Sequence, residues 1–279
     1  MRKQWQGMEV TELRSPDGAV ALVADHGAHL LSWTPASGEP ALFLSELSQC
    51  GAGSAIRGGV PVIFPQFGER GSGKRHGFAR VLPWRPVFAG VEAGRAVARY
   101  CLDNSDLGAM VWPHRFELTL EIAVAGLALQ ETLTIHNPSD EAWECCAALH
   151  TYLQVSDLTT SGIEGLQHAD FIDQAKGGIA AMQKEALLRF DGEVDRIYPA
   201  VKNPVLLADR ARKISVSQSG FRDIVVWNPG AEKAGRLTDM RADDYLGFVC
   251  VEAGAIIEPI RLAPHARWTG LQRLTVVRA

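Results

Sequence analysis

The sequence predicts an all-β fold: one domain, residues 1–279, built as a large antiparallel β-sandwich. Three observations lead to this prediction. Apolar and polar residues alternate with a period of two, turn signals such as Asn228-Pro229-Gly230 separate the alternating segments, and no convincing helices fall between them. Regular alternation of strands with helices would instead indicate a doubly wound parallel sheet. The chain length of 279 residues fits a single all-β domain.

The clearest alternation covers residues 116–122 and resumes over 127–135 after Gly126 interrupts it. Two such runs joined by a glycine turn predict a hairpin. Shorter strands are predicted at 20–24, 29–33, 96–102, 145–155, 224–227, 246–252 and 274–278. Residues 174–188 form the one segment whose pattern could carry a helix, and that pattern is weak.

Composition places the chain among globular proteins, with 47% hydrophobic and 22% charged residues. No apolar run approaches the 18 residues of a membrane span, and the first residues lack the apolar core of a secretory signal. The five cysteines, including the adjacent pair Cys145 and Cys146, are odd in number and form no CxxC pair. We therefore expect a cytoplasmic protein without a disulfide framework and without a membrane partner.

The charge distribution is uneven. The segment 57–85 holds six basic residues and one acidic residue, so it carries +5 while the rest of the chain carries −9. A nucleic-acid binder needs a broad cationic face, so we expect no nucleic-acid partner. One basic segment in an acidic chain suits a small anion, although a solvated surface loop explains the same pattern.

Within this segment, Gly68–Lys74 resembles the start of a phosphate-binding P-loop. The next residue is Arg75, where that motif requires Ser or Thr to hold magnesium. Residues 76–84 do not look like a helix, so no helix N-terminus would meet the phosphates. A nucleotide site is therefore not expected here.

Other motifs are more informative. They are RGGVPVIFPQFG from Arg57, RHGFAR from Arg75, LHTYL from Leu149, DRIY from Asp195, VWNP from Val226, VCVEAG from Val249 and WTGLQ from Trp268. In this order and spacing they resemble the aldose 1-epimerase-like superfamily, specifically its glucose-6-phosphate 1-epimerase (hexose-6-phosphate mutarotase) branch. The resemblance runs from about Val20 to the C-terminus.

The resemblance implies a galactose mutarotase-like supersandwich that uses no metal and no organic cofactor. It implies an isomerase that interconverts the α and β anomers of a hexose 6-phosphate, with glucose 6-phosphate as the expected substrate. The residues carried over are His150 as general acid, Glu252 as general base, and Arg57, Arg75, His76, Arg80 and Asp195 as substrate contacts.

The chain departs from the family pattern at two of these motifs. Arg75 stands where relatives commonly have Gln, and Gly230 follows the WNP motif where relatives commonly have a large aromatic residue. Both departures bear on which sugar is bound more than on the reaction.

The residue types suit this chemistry independently of the resemblance. Anomer exchange needs a base for the proton of the C1 hydroxyl and an acid for the ring oxygen, and a His and a Glu can exchange these roles. We expect His150 on the polar face of a strand together with Tyr152. We expect Glu252 at the end of a strand that is apolar on both faces, where burial would raise its pKa unless the strand end reaches solvent. Arg57 and Arg80 are the expected phosphate ligands, because a guanidinium donates two hydrogen bonds to one oxyanion.

Two alternatives remain open at the level of sequence. The first is an aldose 1-epimerase for unphosphorylated sugars, which would not need the arginine pair. The second is a sugar-phosphate binding module without turnover, which would not need both His150 and Glu252. A metal site of His76, His150 and Glu252 lacks any recognised ligand spacing, so no metal is expected. We expect a monomer.

Overall fold

The computed structural model describes residues 1–51, 53–106, 112–210 and 212–277. Its strands are β1 (Arg2–Trp5), β2 (Met8–Arg14), β3 (Val20–Ala24), β4 (His29–Thr34), β5 (Val62–Ile63), β6 (Arg85–Glu92), β7 (Arg95–Asp103), β8 (Glu117–Ala125), β9 (Ala128–His136), β10 (Trp143–Leu149), β11 (Tyr152–Gln154), β12 (Gly162–Glu164), β13 (Asp170–Asp173), β14 (Ile179–Met182), β15 (Leu187–Leu188), β16 (Val194–Tyr198), β17 (Val205–Ala208), β18 (Lys213–Ser219), β19 (Asp223–Asn228), β20 (Phe248–Leu262) and β21 (Arg267–Val277).

Helical structure in the described residues is short. The α-helix α1 covers Gly230–Ala234, and 3₁₀ turns cover Ala79–Val81, Asn104–Asp106, Leu158–Thr160, Gln174–Lys176 and Asp244–Gly247. None of the helices in this part of the chain is long and apolar enough to cross a membrane.

The strands form three antiparallel sheets. The first is the meander β1-β2-β3-β4. The second has eight strands in the order β14-β13-β16-β19-β20-β10-β5, with β11 also paired to β20. The third has nine strands in the order β15-β12-β17-β18-β21-β9-β8-β7-β6. Together they confirm the predicted all-β, antiparallel architecture.

The large core follows from the period of two. In β20, Val249 and Val251 point into the same buried cluster as Leu120 of β8 and Leu133 of β9, while alternate residues of β20 point the other way. Each fully buried Leu or Val side chain contributes about 1.5–3 kcal/mol. The eight- and nine-stranded sheets therefore share one core, and the opposite face of the eight-stranded sheet remains free to form a site.

The predicted strands are mostly confirmed, including the β8–β9 hairpin. Its turn residue Gly126 has a φ of 54°, in the left-handed region that favours glycine. Several boundaries are wrong. Segment 145–155 is two strands, because the backbone leaves the ladder at His150 and Thr151. The strand predicted to end at Glu252 continues to Leu262, because β10 pairs with it as far as Leu262, whereas its pairing with β19 ends at Gly254.

The helix considered for 174–188 is wrong. A 3₁₀ turn there ends at Gly177 and Gly178, with φ of 74° and 82°, and the chain continues as β14, which pairs with β13. Two consecutive left-handed glycines turn the chain back into a hairpin. The last predicted strand begins earlier than expected, at Arg267, and its predicted end at Arg278 lies outside the described residues.

A loop between β5 and β6 folds back over the eight-stranded sheet at Gly77. Gly77 bridges to Phe64, the Phe78 N–H donates to the Phe64 carbonyl at 2.9 Å, and the Gly77 φ is 69°. A Cβ at this position would lie 2.0 Å from the Phe64 carbonyl oxygen. Only glycine therefore permits this approach, which fixes the neighbouring His76.

Replacing Gly77 by Ala tests the close approach, with Gly68→Ala as the matched control. Gly68 has a similar φ of 56° but no atom within 4 Å of an added Cβ. We expect Gly68→Ala to lower the free energy of unfolding by about 1 kcal/mol through the left-handed penalty alone. Gly77→Ala should lower it by about 2–4 kcal/mol, since overpacking adds about 1–3 kcal/mol to the same penalty. Urea unfolding measures both, and equal losses would contradict the packing argument.

Candidate active site

Four side chains lie in one row on the free face of the eight-stranded sheet. Asp195 pairs with Trp227, Trp227 with Cys250, and Cys250 with Tyr152, on β16, β19, β20 and β11. Residues directly opposite in antiparallel strands point to the same face. Glu252, two residues after Cys250, points to this face as well. This row therefore results from strand parity, with the large apolar core on the other side.

His150 joins this row from the break between β10 and β11. Its backbone N–H donates to the Pro61 carbonyl at 3.0 Å, outside the regular ladder. Its ring stacks on Tyr152, with centroids 4.8 Å apart and planes at 10°. This confirms that His150 and Tyr152 share a face. The His150 Nε2 lies 3.5 Å from Glu252 Oε1.

The His150–Glu252 pair is buried, at 7% and 1% relative exposure. Glu252 is interior to β20, so the expectation that it lies at a strand end is corrected, and the solvent-reaching alternative is excluded. In the described part of the chain, His150 Nδ1 and Glu252 Oε2 have no hydrogen-bond partner. Two polar atoms are thus left for a ligand to satisfy.

Burial moves the two pKa values in opposite directions. It raises the pKa of Glu252 well above its ordinary value of 4.5, and nearby Asp195 adds to this rise. Burial also lowers the pKa of His150 well below 6.5, with His76 and Arg80 lowering it further. Burial therefore favours the neutral form of both groups, with the shared proton on Glu252.

His76 lies beside this pair, its ring centroid 5.7 Å from that of His150. Its Nδ1 accepts a hydrogen bond from the Gly68 N–H at 3.2 Å. Burial lowers the pKa of His76 to about 3. The neutral ring therefore carries its proton on Nε2, which makes it a hydrogen-bond donor without a charge.

Arg57 is held by two partners. Its Nε and one terminal nitrogen donate to Asp239 Oδ2 at 3.1 and 2.9 Å, and the other terminal nitrogen donates to the Tyr152 hydroxyl at 3.0 Å. Asp239 lies in the loop between α1 and β20, and no motif or periodicity in the sequence pointed to it. This carboxylate already compensates the Arg57 charge, so Arg57 is less available to an anion than the sequence suggested.

Arg80 differs from Arg57 in its hydrogen-bond partners. One terminal nitrogen donates to the Arg75 carbonyl at 3.2 Å, while its buried Nε has no partner among the described residues. No acidic residue in this part of the chain forms a salt bridge with Arg80 or Arg75. Burial, together with Arg57 and Arg75, lowers the pKa of Arg80 to about 10. An anion placed here would relieve this uncompensated charge.

The basic segment divides in two. At its far end Arg85 pairs with Asp103 and Asp106. A cavity of about 1270 Å³ beside the loop is lined by Arg75 and Arg80 together with Arg70 and Lys74, but not by His150 or Glu252. Four cations that have no acidic partner among the described residues therefore line this one cavity.

Asp195 is half-buried at the border of the site. Burial raises its pKa, and Arg75 opposes that rise. The structure thus brings His150, Glu252 and His76 into contact distance. It places the remaining sequence-derived residues, Arg57, Arg75, Arg80 and Asp195, around them.

Gln272 supports the site from the other sheet. On β21 it is 1% exposed, and it reaches across the core to accept a hydrogen bond from Thr151 Oγ1 at 2.5 Å and to donate to the Val251 carbonyl at 3.3 Å. Thr151 follows His150, and Val251 precedes Glu252. One buried amide therefore ties together the backbone beside both members of the pair. The sequence pointed to Gln272 only as the end of the WTGLQ motif, without a role.

Comparison with known proteins agrees with this architecture. The family model described as Aldose 1-epimerase matches residues 9–275. The chain belongs to the aldose 1-epimerase family. Members of this family are isomerases, so the protein is an enzyme of that class.

Individual relatives cover most of the chain. A protein of Escherichia coli (strain K12) named "Putative glucose-6-phosphate 1-epimerase" is 34% identical over 257 residues, covering 87% of this chain and 85% of its own. A protein of the same name from Cenchrus ciliaris is 32% identical over 281 residues, covering 97% and 85%.

Solved structures agree as well. A "putative mutarotase" from Salmonella typhimurium is 29% identical with a TM-score of 0.92, covering 100% of this chain and 93% of its own. A galactose mutarotase-like protein from Clostridium acetobutylicum, 13% identical with a TM-score of 0.77 and coverage of 100% and 98%, shares the fold.

The Gln272 bridge is tested by Gln272→Leu, with Gln218→Leu as control, since Gln218 lies opposite Gln272 on β18. The change leaves the Thr151 hydroxyl and the Val251 carbonyl without this partner, which should cost about 1–3 kcal/mol of stability. Because His150 and Glu252 lose alignment, we expect kcat of the family reaction to fall about 10- to 100-fold with little change in KM. A folded Gln272→Leu enzyme with the kcat of the control would show that the bridge is only structural.

Proposed function

We propose that this enzyme interconverts the α and β anomers of a hexose 6-phosphate, with glucose 6-phosphate as substrate. The observation that carries the proposal is the buried His150–Glu252 pair, which holds one proton beside the uncompensated guanidinium of Arg80. The first feature suits acid–base chemistry and the second suits an anion. The names of the bacterial and plant relatives support the same substrate class.

The reaction needs only that one proton on the pair. In the reactive form the proton is on His150 Nε2, and Glu252 is a carboxylate. Glu252 takes the proton of the C1 hydroxyl while His150 donates its proton to the ring oxygen, so the bond between C1 and the ring oxygen breaks and an aldehyde forms. Rotation about C1–C2 and closure on the other face reverse both transfers.

Ring opening leaves Glu252 protonated and His150 neutral. Burial favours these protonation states, because neither buried group then carries a charge. The environment therefore stabilises the protonation state of the open-chain intermediate. His76, a neutral donor, is placed to hold a sugar oxygen without competing for the proton.

We assign the phosphate to Arg80 and Arg75, with Arg57 as a further contact. A phosphate dianion would satisfy the free Arg80 Nε and balance two neighbouring cations. Arg57 already donates to Asp239 and Tyr152, so its main part in the proposal is to position Tyr152 under His150. Asp195 is assigned to sugar hydroxyls, because a half-buried carboxylate there would repel the phosphate.

The acid–base assignment predicts that His150→Ala and Glu252→Gln each lower kcat for anomer exchange about 10²–10⁴-fold. Because the two groups act together, the double variant should lose much less than the product of the two factors. His136→Ala, which removes a histidine paired with Glu117 outside the site, is the matched control. Anomer-exchange NMR gives the rates. Near-wild-type kcat in either folded single variant would remove that residue from the mechanism.

The phosphate assignment predicts that Arg80→Ala raises KM for glucose 6-phosphate about 10- to 150-fold, because a hydrogen bond to a charged group contributes roughly 1.5–3 kcal/mol. The exchange of free glucose should change little. Arg85→Ala, which removes the arginine of the same basic segment that pairs with Asp103 and Asp106, should leave both sugars unaffected. Equal losses on the two sugars would mean that the substrate is unphosphorylated.

A further inference from the structure

Cys250 is a buried residue of the site to which the mechanism gives no role. It is 0% exposed and lies on the same face of β20 as Glu252. One donor atom each from His150, Cys250 and Glu252 lies within 4.8 Å of the other two. A thiol, an imidazole and a carboxyl group thus converge in the buried part of the site.

We propose that His150, Cys250 and Glu252 form a site for a thiophilic divalent cation of the Zn²⁺ class, and that the bound ion blocks the enzyme. The binding part of this proposal stands on the three donors alone, while the inhibition rests on the proposed function. Imidazole nitrogen, thiolate sulfur and carboxylate oxygen are the three ligand types that Zn²⁺ takes in proteins. A hard ion such as Mg²⁺ would not choose this set.

The distances suit a three-ligand site. Zn–N, Zn–O and Zn–S bonds of about 2.0–2.3 Å place tetrahedral ligand atoms about 3.4–3.7 Å apart. His150 Nε2 and Glu252 Oε1 are already 3.5 Å apart. With 4.8 Å as the largest separation, the Cys250 sulfur needs to approach by about 1 Å. A water molecule would complete the tetrahedron at the fourth position.

Charge balance permits a cation beside two arginines. Starting from neutral His150, a Cys250 thiol and a Glu252 carboxylic acid, binding of the ion releases two protons to solvent. The thiolate, the carboxylate and the divalent ion then sum to zero, so Arg57 and Arg80 meet a neutral cluster and not a net positive charge.

Titration with Co²⁺ tests binding without any assay of activity, since a cobalt–thiolate bond gives a sulfur-to-metal charge-transfer band. We expect one equivalent and this band in the wild type and in Cys50→Ser, which removes a half-buried thiol elsewhere. Cys250→Ala should abolish the band and weaken metal affinity by more than the 10- to 100-fold that an outer-shell partner contributes. If Cys250→Ala does not fold, Cys250→Ser serves the same purpose. A band that persists without Cys250, or no band in the wild type, overturns the site.

Zinc inhibition of anomer exchange tests the second part. We expect Zn²⁺ to raise the apparent KM, EDTA to restore it, and Cys250→Ala to keep its kcat while resisting zinc more than 10-fold better than Cys50→Ser. Because His150→Ala should also lose the cobalt band, metal binding at His150 is measured even if His150 proves not to be catalytic. A cobalt site in an enzyme that zinc does not inhibit would overturn the inhibition and count against the proposed function, while leaving the site itself intact.

Discussion

Glu252 and His150 face each other across 3.5 Å where water has almost no access, and each retains a polar atom with no partner in the described chain. Such an arrangement is costly, because a buried acid or base is destabilised in its charged form. With one proton between them, both groups can be neutral. Burial therefore favours the proton on Glu252. The other features of the site affect how that proton moves.

The fold holds this pair by using two sheets. β20 passes through the middle of the eight-stranded sheet, so Glu252 has a fixed face and a rigid strand on either side. His150 lies at the break between β10 and β11. Its backbone N–H donates to the Pro61 carbonyl there, and its ring faces Glu252. Gln272 of the nine-stranded sheet forms hydrogen bonds to Thr151 at this break and to Val251 beside Glu252. The catalytic geometry thus depends on contacts between strands that are far apart in sequence.

Part of the site could be predicted from the sequence, because side chains alternate between the two faces of a strand. The period of two placed His150 and Tyr152 on one face, and the apolar run around Glu252 signalled burial. The features that the sequence could not show depend on long-range pairing. Strand β20 runs ten residues past Glu252 because β10 is long enough to pair with it as far as Leu262. Asp239 lies in a loop whose position no periodicity defines.

The sequence also could not show which arginines form salt bridges. The sequence showed a +5 segment, yet Arg85 and Arg57 prove to be paired with Asp103, Asp106 and Asp239, which are distant in sequence. Only the structure separates these arginines from Arg80, whose burial without an acid distinguishes it as an anion ligand.

The pH dependence of kcat for free glucose tests the shared proton most directly, since this sugar has no phosphate that titrates near neutrality. Burial lowers the pKa of His150, so the pair accepts a second proton, and loses activity, only well below pH 6.5. It raises the pKa of Glu252, so the last proton leaves only well above pH 4.5. We therefore expect an acid limb of kcat below pH 6.5 and a separate alkaline limb above pH 4.5, each displaced from the ordinary pKa of the group that causes it. An acid limb at or above pH 6.5, or a kcat that already falls as pH rises through 4.5, would contradict the shared proton.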